Sequence, residues 1–129
     1  MDRWRYPASQ ASKFTCQQNQ NSVTPPTGHK NYIGFTSSSS YSLGASDYFG
    51  LNQFIEGYNI SDLAWGTVSA KTVTLSFWVY SSLTGTFSGS INAAYGSNAS
   101  YVFSYTISST NTWTYITITI PGPTIGTWN

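Results

Sequence analysis

The stretch Lys71–Tyr80, KTVTLSFWVY, decides the fold. Val73, Leu75, Phe77 and Val79 alternate with Thr72, Thr74, Ser76, Trp78 and Tyr80. Strict alternation rich in β-branched and aromatic residues is the pattern of a half-buried strand. Wound as a helix, the same apolar residues would scatter around the axis. The first set therefore makes a core face. The second set places two large rings among small hydroxyls, either under another layer or ready to meet a ligand.

Working outward, the same signal recurs. Gly85–Ile91, Tyr101–Ser108 and Trp113–Ile120 all alternate, the last with Ile116, Ile118 and Ile120 against Trp113, Tyr115, Thr117 and Thr119. Pro121-Gly122-Pro123 stops it. Upstream, Phe14–Gln18, Asn31–Thr36 and Tyr48–Ile55 are expected strands. Ile60–Trp65 is room for one helical turn, since Gly57 and Gly66 bracket it. Met1–Pro26, polar and Gln/Asn-rich, is expected to be a partly ordered arm, and residues 27–129 the folded domain. Short strands at regular spacing with turn residues between them predict an all-β, antiparallel two-sheet β-sandwich of jelly-roll type.

Composition narrows the function. Charged residues are 7% of the chain and the net charge is +1. A nucleic-acid binder needs a basic footprint to neutralise phosphates, and none is present. No run approaches the ~18–20 apolar residues of a membrane-spanning helix. The opening MDRWRYPASQ has no apolar signal core, which fits a chain made in a cytoplasm and released by assembly or lysis. The lone Cys16 has no internal disulfide partner and is expected to be an inert thiol. Aromatics make up 17%, with ten Tyr and five Trp. A hydroxyl-rich, ring-rich, nearly uncharged exterior suits neutral partners such as sugars.

Catalysis finds little material. The acids are Asp2, Asp47, Glu56 and Asp62. A glycosidase needs two carboxylates flanking one bond, and only Glu56 and Asp62 are close enough in sequence to propose. The plainer reading, and the expected one, is that Glu56 accepts backbone N–H bonds and Asp62 caps the short turn. A Ca²⁺ site built from Glu56, Asp62 and backbone carbonyls is the one metal arrangement the acids allow. His29, beside Lys30 with no acid or Cys near it, reads as a surface histidine.

Glycan binding is the sharper expectation. Flat rings stack on the C–H faces of sugars. Trp78 and Tyr80 with Trp113 and Tyr115 would form a platform if their strands share a sheet. The alternative is that these rings pack beneath the arm or a loop, and Trp78 in particular is expected under cover, because Trp is usually largely buried. Tyr95 and Tyr101, beside a Gly/Asn/Ser turn, are expected to be exposed.

Four segments together, Gln53–Gly57 (QFIEG), Leu63–Gly66 (LAWG), Ala70–Val79 with Ser81-Ser82 and Thr84-Gly85-Thr86, and Trp113–Trp128 (WTYITITIPGPTIGTW), carry a resemblance. With Asp2-Arg3-Trp4, Phe14-Thr15 and Gln17-Gln18 they resemble a jelly-roll domain of tailed, mainly aquatic bacteriophages, found in tail-fibre, tail-spike and other virion surface proteins. The strand core is similar, more distantly, to carbohydrate-binding modules. The resemblance implies a virion-surface, host-attachment or purely structural decoration role. It implies host glycans and other virion proteins as partners, in a homo-oligomer or larger assembly. A tail-associated glycanase is the third reading it allows. Thr114 and Pro123 stand where the family often has Glu and Asp. Family members usually continue past the GTW segment, so the sandwich is expected to lack its final strands.

Overall fold

The computed structural model describes residues 4–93 and 99–128. The chain is all-β, and every pair of strands is antiparallel. It divides into two compact units, Met1–Ile55 and Glu56–Asn129.

In the second unit, β5 (Val73–Val79) pairs with β8 (Thr114–Ile120), and β6 (Gly85–Asn92) pairs with β7 (Ser100–Ile107). The pairing is nested in chain order: β6 and β7 lie between β5 and β8 along the sequence, while β5 and β8 pair directly with each other. Inward positions alternate with outward ones along all four strands. Ile107, Ile116 and Ile120 are buried, Ile107 and Ile120 almost completely. The ring of Phe77 on β5 meets that of Tyr105 on β7 edge-on at 5.2 Å, so the apolar faces of the two ribbons join there. Burial pushes the Tyr105 phenol above its usual range. This is a two-layer sandwich in small.

Gly89 shows why one inward position has no side chain. It faces Phe103 across the β6–β7 register, and a Cβ there would lie 2.6 Å from the Phe103 ring. The ring fills the space over the glycine, so the ladder closes without a gap.

The first unit repeats the nesting. β1 (Trp4–Arg5) pairs with β4 (Asn52–Gln53), and β2 (Phe14–Gln18) pairs with β3 (Ile33–Ser37). Phe14 is the hub of its interior, with Tyr6, Phe35 and Phe49 around it at ring separations of 5.4–6.3 Å. Within the expected arm Met1–Pro26, the expected strand Phe14–Gln18 forms and is one half of a ribbon with β3. The expected strand Tyr48–Ile55 shrinks to β4 and a single bridge, Ala8↔Phe49. Cys16 is half-buried, and burial raises its thiol pKa. His29 is exposed on a turn.

A polar hub closes the loop before β4. Asp47 accepts hydrogen bonds from the Gly44 N–H, the Ser9 hydroxyl, the Tyr41 hydroxyl and the Gln10 amide, at 2.7–3.1 Å. These donors, the Gly44 N–H foremost, hold its carboxyl well below the usual carboxylate range. A depressed carboxylate contributes stability above its unfolded pKa of about 3.9 and loses it as pH falls toward the folded value.

Ile120→Ala removes a fully enclosed side chain and should cost about 2–5 kcal/mol in urea unfolding. Hydrogen exchange at the Gly44 amide should quicken as pH falls below the ordinary carboxylate range, after correction for the intrinsic rate. In Asp47→Asn that acid dependence should vanish.

Candidate functional site

The β5–β8 register carries the candidate site. Leu75↔Ile118 and Phe77↔Ile116 point inward, so Trp78↔Tyr115 points outward on the opposite face. Beyond the last pair, Val79↔Thr114, the chain keeps its direction and brings Tyr80 beside Trp113. The Asn111 N–H donates to the Ser81 carbonyl at 2.7 Å and clips the strand ends together. The ring centroids lie 5.0 Å apart in the Trp78–Tyr115 pair and 5.4 Å apart in the Tyr80–Trp113 pair. Planes inclined at 49° and 56° leave the rings neither stacked flat nor perpendicular.

All four rings expected to form a platform thus share one face of one ribbon. Tyr80 and Trp113 are half-buried, while Trp78 is 39% and Tyr115 54% exposed. The expected cover over Trp78 is corrected here. Its rotation off the core face is dictated by the strand period, which gives the interior to Phe77 instead. Tyr101 does not join the group. It sits half-buried on β7, on the same side as Phe103 and Tyr105, while its neighbour Val102 takes the outward position. The expectation of an exposed Tyr101 is corrected by the same alternation. Tyr95 lies outside the described residues.

A carboxylate oxygen of Glu56 accepts from the Asn59 amide at 3.0 Å, bridging a 3₁₀ turn at Gly57–Asn59. Asp62, in the next turn at Ser61–Leu63, lies 3.7 Å from the Lys71 ammonium across an exposed gap. Among the described residues no three His, Cys, Asp or Glu side chains gather into a metal-binding group. No helix of the described chain is long and apolar enough to cross a membrane.

A second concavity escaped the sequence. Trp65 and Trp128 meet edge-to-face at 5.2 Å and wall a cleft of about 620 Å³ with Tyr58, Ile60 and Ser61. Both indole N–H groups are spent inside the fold, on the Lys71 and Ile125 carbonyls. Gly66, at φ +87°, donates its N–H to the Pro123 carbonyl and packs so near Gly126 that a Cβ would collide with the Gly126 oxygen. The sequence signal was present as two Trp residues flanked by glycines, but nothing in it said that they meet.

No protein-family model, curated protein or solved structure matches this chain.

The alternation sorts ring from core by a stability test. Trp78→Ala should cost no more than about 1 kcal/mol, the worth of one cross-strand pair. Phe77→Ala, on the interior side, should cost more than about 2 kcal/mol. Thermal or urea unfolding of the two variants checks both.

Proposed function

We propose that this chain is a jelly-roll-type surface module of a tailed-phage virion that attaches to host-surface glycans, weakly per copy and usefully in many copies. The observation that carries the reading is the two ring pairs at one end of the β5–β8 ribbon, Trp78–Tyr115 exposed and Tyr80–Trp113 half-buried just beyond it. Partly open rings on a rigid strand pair suit the C–H faces of sugars. Rigid attachment matters because a ring already held in place loses little conformational entropy on binding. The near absence of charge around the rings fits a neutral ligand. The motif resemblance supplies the phage context, and the nested strand pairing of each unit is the kind of wrapping from which jelly rolls are built.

A second reading has its own support. Each described strand has one partner, so every ribbon ends in open edges. Open edges suit a module that is completed by neighbours and serves as a spacer or decoration unit with no ligand.

A glycan array displaying the chain multivalently separates the two. Trp78→Ala and Tyr115→Ala should each weaken retained glycans by about tenfold, equivalent to about 1.4 kcal/mol. Their unfolding curves should stay close to the parent's. Unchanged glycan retention by both folded variants would remove the attachment reading. Failure of particle assembly, with adsorption intact in assembled particles, would then favour the spacer.

A further inference from the structure

The ring strip is one end of a longer feature. Continuing down the same outward face of β5–β8, the register pairs Ser76 with Thr117 and Thr74 with Thr119. All four residues are exposed. Their hydroxyls therefore stand on the solvent side of the ribbon. Each hydroxyl can donate and accept. The face therefore has two halves in line: rings at one end, paired hydroxyls at the other.

Two properties of this face decide what fits it. The first is length. From Thr74 to Tyr80 is six residue steps, about 20 Å at strand rise, or roughly four sugar rings end to end. The second is charge. No outward position from Thr74 to Tyr80 or from Trp113 to Thr119 is ionisable at neutral pH. A carboxylated, sulfated or phosphorylated ligand would find no cation there to replace its lost hydration. An outward hydroxyl row alone is ordinary for a solvated sheet face. What is not ordinary is its alignment, pair for pair, with four aromatics. The β6–β7 ribbon provides the contrast. Its outward pairs Thr86↔Thr106 and Ser88↔Ser104 make a similar hydroxyl row with no ring in it.

We infer that the ligand of this face is an uncharged, extended oligosaccharide lying along the strands, held internally over about four sugar units rather than by one terminal sugar. The inference rests on the glycan-attachment reading and adds the shape, charge and length of the ligand. The rings hold the sugar faces at one end. The hydroxyls of Thr74, Ser76, Thr117 and Thr119 bond the sugar hydroxyls at the other, where both partners change from water to each other.

The test is a glycan array carrying neutral and acidic linear glycans in graded lengths, from disaccharide to hexasaccharide, probed with the full chain. Retained glycans should be uncharged. Signal should rise by about tenfold from disaccharide to tetrasaccharide and then level, as sites along the face fill. Thr117→Val, which keeps the β-branched shape, should weaken tetrasaccharides by about fivefold, the worth of a single neutral hydrogen bond, and leave disaccharides unchanged. Thr106→Val on the other ribbon should change neither. If disaccharides bind as well as tetrasaccharides and Thr117→Val is silent while Trp78→Ala still loses binding, the extended track is wrong and the platform stands. Preference for acidic glycans would also overturn it. If no glycan is retained in a Trp78-dependent way, the attachment reading falls and takes this one with it.

Discussion

The register of β5 on β8 is the constraint on which the rest depends. Side chains alternate with a period of two, so a slip by one residue would exchange the two faces of a strand. Such a slip would turn Phe77 outward and bring Trp78 into the interior. Ile116 and Ile120, now buried, hold the pairing where it is. The cost of exposing those isoleucines is thus the same free energy that presents Trp78 and Tyr115 to solvent. Core and candidate site are two sides of one decision, and neither can shift without the other.

Nesting explains how so small a unit reaches that register. A two-stranded ribbon alone is marginal in water. Placing the β6–β7 ribbon in the chain between β5 and β8 gives each ribbon a partner face, and Phe77 meets Tyr105 where the two faces join. The first unit solves the same problem with other chemistry. Its ribbons are shorter, and more of its order comes from the Phe14 aromatic group and from Asp47, whose four donors tie distant backbone segments together. An ionised carboxylate is well suited to that hub, since it accepts several hydrogen bonds at once and charge makes each one stronger.

How much of this was legible in the sequence depends on period and length. Strands β5 to β8 declared themselves because alternation sustained over seven or eight residues matches a strand and little else. β2, five residues in a stretch of weak periodicity, was legible only as a short strand. β1 has two residues, too few to show any period. Tyr48–Ile55 looked like a strand because it is aromatic and apolar, yet only Asn52–Gln53 pairs as a strand. Propensity records what suits a pleated surface, not whether a partner exists. The four platform rings were legible as candidates, because parity along a strand is local information. Their meeting was not, since it needs the β5–β8 pairing across the whole nested hairpin. Trp65 and Trp128 failed for that reason more completely. They lie in turns, where no period links one residue to another, and their contact depends on Gly66 accepting a left-handed conformation against Gly126.

The scarcity of charge has a kinetic side as well. A surface without a strong field does not steer a ligand from a distance, so encounter proceeds at an unassisted rate and salt changes it little. Ring and hydroxyl contacts act only at touching distance. Under the attachment reading, capture by one copy is therefore neither fast nor long-lived. Residence grows instead with the number of copies engaged, because each bound copy raises the effective concentration of the next. A neutral track along a rigid ribbon fits that regime. It lets a polymer re-register along the strands without breaking a salt bridge, while the cost of ordering the protein has already been met in folding.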